Sequence, residues 1–202
     1  MKKITMFVVL LAAAGFLSAF TVVEYTAVAP TWQVDKGHSS VAFSVRHFFA
    51  SVIGTFDEFD GTVTFDPEDL EGSSIDFSIK VASVNTKNER RDNHLQSADF
   101  FNAEEWPEMT FKSSNITKSG DQYLAKGEMT IRDVTKEVEI PIQFLGQMEH
   151  PRRAGSYIGG FATEFTIDRN EYGVGTGNYA ATATIGGEVK VTINLEVNRS
   201  DS

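Results

Sequence analysis

Alternation of apolar and polar side chains is the feature that most constrains the fold of this chain. From about residue 31, apolar residues recur at every second position, the spacing that puts successive side chains on opposite faces of a β-strand. The pattern occupies residues 41–45, 63–65, 75–81, 109–111, 129–131, 138–144, 161–167 and 189–197. The sequence therefore predicts roughly eight strands, each with an apolar and a polar face.

The connections between these segments favour an antiparallel all-β domain. Residues 132–136 form a short polar link between two alternating runs, which is typical of a hairpin. Helices do not alternate with the strands, so a parallel sheet is not expected. One short helix is predicted after Thr86, because Thr86 and Glu89 have the spacing of a capping box and residues 90–97 lack Gly and Pro.

Phenylalanine content helps to choose between a barrel and a sandwich, which alternation alone separates poorly. The chain has 16 phenylalanines among its 202 residues, many on the apolar faces of the strands. Each one alone is explained by filling a core. As a group, they favour an eight-stranded barrel that encloses one small apolar ligand.

Charge and cysteine content exclude several classes of function. The 28 acidic and 18 basic residues give a net charge of −10, which argues against nucleic acid as a partner. The chain has no cysteine, so disulfides, thiol nucleophiles and Cys-ligated zinc are excluded. Neither a metal site nor a catalytic site is predicted, and no cofactor is expected.

The N-terminus has the layout of an export signal. Lys2 and Lys3 precede an apolar run that contains no acidic residue before Glu24. We predict a signal peptide over residues 1–23, with an end anywhere from 19 to 29, followed by a domain over 31–197 and a polar tail over 198–202. No stable membrane span is expected after cleavage, although the run is almost long enough for an uncleaved anchor.

Short motifs in a fixed order give the chain a specific resemblance, over about residues 31–197, to the YceI-like family of bacterial lipid-binding proteins. The matching motifs are Trp32-Gln33-Val34-Asp35, Phe43-Ser44-Val45-Arg46-His47, Gly54-Thr55-Phe56, Phe59-Asp60-Gly61, Arg91-Asp92-Asn93-His94-Leu95, Asp99-Phe100-Phe101, Trp106-Pro107, Gly127-Glu128-Met129-Thr130-Ile131-Arg132 and Asp168-Arg169-Asn170-Glu171-Tyr172-Gly173-Val174. One departure is Asp133, where the family usually has Gly. Asp also tolerates a left-handed backbone, so the hairpin is expected to persist.

The resemblance implies an extended, lipocalin-like antiparallel barrel with one or two short helices, whose interior holds a polyisoprenoid chain. The ligand class is an isoprenoid quinone, a polyprenyl compound or a related amphiphile, bound for carriage, storage or protection in the periplasm or another exported location. A homodimer is possible. The predicted ligand-binding residues are Phe43, His47, Phe49, Phe56, Phe77, Ile79, Arg91, Asp92, His94, Phe100, Phe111, Met129, Ile131, Phe161, Phe165 and Arg169.

Polar residues among these leave alternatives open. His47, Arg91, Asp92, His94 and Arg169, together with His38, are candidates for contact with a ligand headgroup. A second hypothesis is a hydrolase or isomerase, or a metal site, built from the same His, Asp and Arg residues. A third is a structural, stress-related exported protein. Structural roles compete with all of these, because Arg91 and Asp92 can brace the helix while His94 caps or packs. Arg169 can pair with a carboxylate or reach a ligand phosphate or carbonyl.

Overall fold

Antiparallel strands dominate the computed structural model, which describes residues 29–200. The predicted signal peptide, residues 1–23, lies outside this range. No helix in the described range is long and apolar enough to cross a membrane. The elements are β1 (Thr31–Val34), β2 (Ser40–His47), β3 (Ala50–Phe56), β4 (Phe59–Asp66), β5 (Asp69–Lys80), a 3-10 turn (Val81–Ser83), β6 (Val84–Asn85), α1 (Glu89–Gln96), β7 (Glu108–Ser119), β8 (Gln122–Ile131), β9 (Val134–Glu149), β10 (Ser156–Asp168), 3-10 turns at Arg169–Tyr172 and Gly177–Tyr179, and β11 (Ile185–Ser200).

Eleven strand segments in the described range form a closed barrel of eight antiparallel strands, as predicted. Three of the eight barrel strands each consist of two segments separated by a short break. These pairs of segments are β1 and β2, β3 and β4, and β5 and β6. The pairing of β11 shows the continuity, because its C-terminal end pairs with β1 at Val34 and the rest pairs with β2 from Ser40 to His47. Both β9 and β11 contain 16 residues, far above the usual length of about 5–6, so the barrel is extended.

Each of the eight predicted segments falls in a different one of these eight barrel strands. The shorter segments β1, β3 and β6 were not predicted from alternation. The structure also differs at the C-terminus, where β11 runs to Ser200 and so includes residues 198–200 of the expected polar tail. Asn198 and Ser200 are held there by pairing with β10.

The two ends of the barrel are built differently. One end, which we call the α1 end, carries the β2–β3 and β8–β9 hairpins and the two long connections, residues 86–107 and 169–184. The opposite end carries the β7–β8 hairpin and the first residues of β1. Interior side chains at the opposite end are tightly packed, and Trp32 and Val197 are almost completely buried there.

The helix α1 confirms the predicted helix but not its cap. Asn88 is the N-cap residue, and its side chain accepts a hydrogen bond from the Arg91 backbone N–H at 3.0 Å. Thr86 instead donates from its own backbone N–H to the Asp92 carboxylate at 2.9 Å. The predicted capping box of Thr86 and Glu89 was therefore wrong, because the residue that caps the helix lies two positions after Thr86.

The β8–β9 hairpin turns through Arg132 and Asp133, the two residues between the strands. The positive φ lies at Arg132, at 56°, rather than at Asp133. The explanation that Asp133 supplies a left-handed backbone was therefore wrong. Arg132 takes that conformation instead, and its side chain turns back over the barrel end.

Strands β9 and β10 are paired over only part of their length. Their pairing ends at Gln143 and Ala162. From there to the α1 end, within residues 29–200, β9 pairs with β8 alone and β10 with β11 alone. Pro141 lies on this edge of β9, where a residue without an N–H is tolerated. We call this part of the wall the β9–β10 seam, and Lys136 bridges it to Glu171 with Nζ and Oε2 2.6 Å apart.

Candidate ligand-binding site

An apolar cavity of about 210 Å³ occupies the half of the barrel nearest the α1 end. Side chains from most of the barrel strands line it, together with residues from the two long connections. Eleven of the sixteen residues predicted to bind a ligand lie in its wall: Phe43, Phe56, Phe77, Ile79, Phe100, Phe111, Met129, Ile131, Phe161, Phe165 and Arg169. Alternation located most of them, because inward-facing apolar positions of barrel strands face the cavity. That they contact a ligand stays a prediction.

Two of the other predicted residues lie at the tip of the β2–β3 hairpin. Phe49 is fully exposed, at 105% relative accessibility, because it is one of the two turn residues rather than part of an inward strand face. His47 is also exposed, and its ring makes an edge contact with Phe48 at 4.8 Å between centroids. Neither residue belongs to the cavity wall.

The remaining three are on α1 and brace the connection between β6 and β7. Arg91 donates from Nε to the Thr86 hydroxyl at 2.7 Å and from Nη2 to the Thr86 carbonyl at 2.8 Å. Asp92 accepts from Thr86, as described above. His94 Nε2 lies 3.1 Å from the Asp99 carboxylate. These contacts match the structural roles weighed for Arg91, Asp92 and His94.

Arg169 is a buried guanidinium whose partners are backbone carbonyls. It is 4% exposed and donates to Gly186 and Val174 at 2.8 and 2.7 Å, and to Tyr179 and Ile185 at 2.8 and 3.0 Å. Burial lowers the pKa of the guanidinium from its usual value, and the charge of Asp168 partly opposes that shift. Arg169 therefore fastens the 169–184 connection to the start of β11 while its side chain forms part of the cavity wall.

The 86–107 connection covers the cavity at the α1 end. Leu95, Phe100 and Phe101 contribute to the lining. Arg132 fixes this cover, because its Nη1 donates to the Phe100 carbonyl at 2.7 Å and also to the carbonyl of Gly173. One guanidinium thus joins the β8–β9 hairpin to both long connections.

Two lining phenylalanines lie over glycines of the neighbouring strand. Phe43 faces Gly54 and Phe77 faces Gly61 in the register of their strand pairs. A Cβ at either glycine would overlap the facing ring. The absence of a side chain at Gly54 and Gly61 therefore lets the rings lie flat against the wall and leaves the interior open.

An aromatic cluster borders the cavity at its inner end. Phe65 contacts Tyr123, Phe144 and Phe161, with ring centroids 4.9, 5.3 and 5.4 Å apart. Phe161 lines the cavity, whereas the other three do not. This cluster lies between the cavity and the packed interior of the opposite end.

Thr163 places an unsatisfied hydroxyl in the mostly apolar wall. Its Oγ1 is buried and has no hydrogen-bond partner among the described residues. Leaving such a group unpaired costs about 1–3 kcal/mol, so a ligand oxygen that pairs with it would bind more tightly. The sequence carried the signal, because Thr163 interrupts the inward face formed by Phe161, Phe165 and Ile167.

The histidines do not form the metal or catalytic group that was considered. His38 lies in the turn between β1 and β2, His47 at a hairpin tip and His94 on α1, each with different neighbours. Within residues 29–200, one group has metal-ligand spacing, and it consists of Asp35, His38 and Glu196 on the barrel surface. The hydrogen bond between His38 and Asp35 raises the pKa of the imidazole and lowers that of the carboxyl.

Comparisons with known proteins agree with this geometry. Residues 32–197 match the model of the YceI-like domain. The chain is 35% identical over 154 residues to protein YceI of Escherichia coli O157:H7, which covers 75% of this chain and 80% of that protein.

Solved structures show the same barrel. The Campylobacter jejuni YceI protein superimposes with a TM-score of 0.66 and 31% identity over 83% of this chain and 97% of its own. BcnA of Burkholderia cenocepacia gives a TM-score of 0.73 and 26% identity over 81% and 98%. A polyisoprenoid binding domain from Saccharophagus degradans shares the fold, with a TM-score of 0.60 and 14% identity over 87% and 100%. The chain belongs to the YceI-like family.

Proposed function

We propose that this protein binds a long-chain isoprenoid lipid, an isoprenoid quinone or a polyprenyl compound, inside the barrel. The observation that carries the proposal is the cavity wall, which is apolar apart from a few groups such as Thr110, Thr163 and Arg169. The polyisoprenoid-binding domain that shares this fold supports the same ligand class. The guanidinium of Arg169 is already occupied by carbonyls, so the proposed role is binding rather than catalysis.

Burial of a long apolar chain gives enough affinity without extensive polar recognition. Large ligands gain about 0.3 kcal/mol per heavy atom once ordering is included. A ligand of about 40 heavy atoms would gain about 12 kcal/mol, which corresponds to about nanomolar affinity. Specificity for the headgroup is therefore expected to be loose, with Thr163 as the candidate contact for a ligand oxygen.

A ligand of that size requires the cavity to expand. Its volume of about 210 Å³ is below the roughly 300–1,000 Å³ of sites that enclose drug-sized molecules. Met109 and Met129 in the wall are unbranched and adapt readily to new shapes. Filling the barrel therefore involves movement of the lining side chains.

The proposal includes export and a role in carrying, storing or protecting the lipid outside the cytoplasm. Lys2, Lys3 and the following apolar run support export, and the net charge of −10 suits a soluble carrier. N-terminal sequencing of protein recovered from cell fractions tests this part. Retention of residues 1–23 on protein found in the cytoplasmic fraction would contradict it.

Lipid extracted from the purified protein tests the binding itself. Protein purified without detergent is expected to yield one long-chain isoprenoid per barrel by mass spectrometry. Gly61→Ala is expected to lower that yield severalfold, because its Cβ displaces Phe77 into the cavity and also lies 3.0 Å from the Asp76 carbonyl. Gly160→Ala is the matched control, since the atoms nearest to its Cβ position belong to the exposed Leu145 side chain, at 3.3 Å or more.

Two results would reject the proposal. One is wild-type protein that neither carries a long apolar lipid nor takes one up from detergent micelles. The other is equal lipid content in Gly61→Ala and wild type with both proteins folded, which would place the lipid outside the barrel.

A further inference from the structure

Two adjacent phenylalanines form the tip of the β2–β3 hairpin at the α1 end. Phe49 is 105% exposed and Phe48 52% exposed, and Ile53 on the next strand is 68% exposed. None of these three residues lines the cavity. Water-exposed aromatic side chains side by side are unfavourable unless another surface covers them.

The tip is held in place by hydrogen bonds. The Phe48 backbone N–H donates to the Thr184 carbonyl at 2.7 Å. Arg46 donates from Nη1 to the Phe48 carbonyl at 2.8 Å and from Nη2 to the Thr182 carbonyl at 2.5 Å. The hairpin is therefore braced against the 169–184 connection, and both rings are presented on a fixed support.

The backbone at the tip is unsuited to the residue that occupies it. Phe48 has a φ of 50°, a left-handed conformation that bulky side chains rarely adopt and that Gly or Asn would take easily. A residue kept in such a position against its conformational preference points to a role for its side chain.

The hairpin and the connection that braces it carry no acidic side chain near the patch. Residues 172–187, which brace the hairpin, contain no Asp, Glu, Lys or Arg. The hairpin segment, residues 42–56, contains no acidic residue and carries Arg46. In a chain with 28 acidic residues, this patch lacks the carboxylates that would be repelled by phosphate headgroups.

The area of the patch favours a lipid surface over a protein. The two phenylalanines and Ile53 offer on the order of 400 Å² of apolar surface. A stable protein partner usually covers about 800 Å² on each side. Insertion of a few aromatic side chains into the interfacial region of a bilayer needs no such matching area.

We propose that Phe48 and Phe49 insert into the surface of a lipid bilayer and dock the barrel there for exchange of its lipid. The hairpin that carries the patch begins in the cavity wall, because Val45 lines the cavity and His47, two residues later, pairs with Ile185, which also lines it. Docking at a bilayer is a property beyond ligand binding. It rests on the proposed function in one respect, namely that the molecule exchanged with the bilayer is the lipid bound inside the barrel.

Binding to phosphatidylcholine vesicles tests the docking surface. Protein purified after expression of the full chain is incubated with vesicles and sedimented. Phe49→Ser is expected to lower the partition coefficient by about tenfold to a hundredfold, the value of burying one phenylalanine. Met148→Ser is the matched control, because Met148 is 59% exposed on β9, towards the opposite end of the barrel, and this variant is expected to bind vesicles as wild type does.

Phe48→Gly separates docking from folding. Glycine relieves the left-handed backbone, so this variant is expected to unfold at the same temperature as wild type or higher, while it loses vesicle binding. Both variants are expected to take up a polyprenol from detergent micelles normally. Wild type that fails to take up the polyprenol would reject the lipid-binding function, whereas wild type that takes it up but does not bind vesicles would reject docking.

A fluorescent label identifies the surface that touches the bilayer. The chain has no cysteine, so Ala50→Cys and Gln147→Cys each accept one environment-sensitive dye, beside Phe49 and Met148 respectively. Vesicles are expected to shift the emission at position 50 and not at position 147. Equal shifts, no shift at position 50, or a Phe49→Ser variant that changes only self-association would each overturn the proposal, the last in favour of a second copy of the chain.

Discussion

Gly175 lies directly against the guanidinium of Arg169, so closely that a Cβ at position 175 would overlap Nη1. Gly175 also has a φ of +88°, a conformation that costs a non-glycine residue about 1–2 kcal/mol. The glycine thus permits both the turn of the 169–184 connection and the placement of the buried cation. Arg169 in turn donates to the four carbonyls of Val174, Tyr179, Ile185 and Gly186.

Gly175→Ala is expected to destabilise the fold by about 2–4 kcal/mol, because it combines backbone strain with disruption of hydrogen bonds to a charged group. Denaturant unfolding measures the loss. Gly177→Ala is the control, since Gly177 has a φ of +55° but no atom within 4 Å of its Cβ position. Equal losses in the two variants would show that contact with Arg169 is unimportant.

Thr163→Val is expected to separate apolar burial from recognition of a polar group. Valine has nearly the same shape and removes an unpaired buried hydroxyl, so the lipid-free protein should gain about 1–3 kcal/mol of stability. Affinity for a quinone or polyprenol should fall relative to affinity for a hydrocarbon of equal length. Competitive binding assays measure that ratio. An unchanged ratio would exclude Thr163 from headgroup contact.

Phe65→Ala is expected to lengthen the bound chain. Removal of this ring opens the aromatic cluster at the inner end of the cavity and costs about 3–5 kcal/mol when the space stays empty. A longer apolar chain can fill such space, so mass spectrometry should show longer lipids than those bound to wild type. Ile116→Ala, which also removes a buried side chain away from the cavity, should leave the length distribution unchanged.

The Asp35 and His38 pair is expected to make a small pH-dependent contribution to stability. His38 has a pKa raised from 6.5, so its contribution is complete below 6.5 and is lost as pH rises through the higher folded value. Asp35 has a pKa lowered from 3.8, so its contribution is complete above 3.8 and is lost as pH falls. The difference in melting temperature between wild type and His38→Gln should therefore be largest between about pH 4 and 6.5.

Titration of the His38 ring by NMR checks the same pair directly. Asp35→Asn should lower the pKa of His38 towards 6.5, because the hydrogen bond that the His38 ring makes to the Asp35 carboxylate is the largest cause of its shift. Glu196 contributes a further electrostatic effect on His38. An imidazole pKa unaffected by Asp35→Asn would show that the pair does not form in solution.

The number of barrel strands could be predicted from alternation, because each barrel strand has at least one stretch with a buried face and a wet face. The interruptions could not, since bends such as the one between Phe56 and Phe59 depend on which neighbour each half pairs with. That information lies in contacts between residues far apart in sequence. The shorter half of each interrupted strand therefore escaped prediction.

Polar residues were harder to place than apolar ones. An arginine after a strand can pair with a carboxylate, a ligand or a carbonyl. The partners of Arg169 are the carbonyls that the folded connections bring around it, and the sequence alone does not show them. Phe49 is of a residue type that is common in the cavity wall, but its position in a two-residue turn directs its side chain to solvent. Alternation located most of the apolar residues of the cavity wall, whereas the contacts of the polar residues depended on the three-dimensional arrangement.

The β9–β10 seam gives the barrel a place to change its circumference. Where neighbouring strands are paired, separating them would break a ladder of main-chain hydrogen bonds. Along the seam, the wall can part by rearranging side chains and releasing the ion pair between Lys136 and Glu171, which is partly exposed and so contributes little. The cavity, which is too small for a long lipid chain, is thus bordered by a seam that can widen, and swelling on loading is expected to concentrate at Pro141 and Thr163.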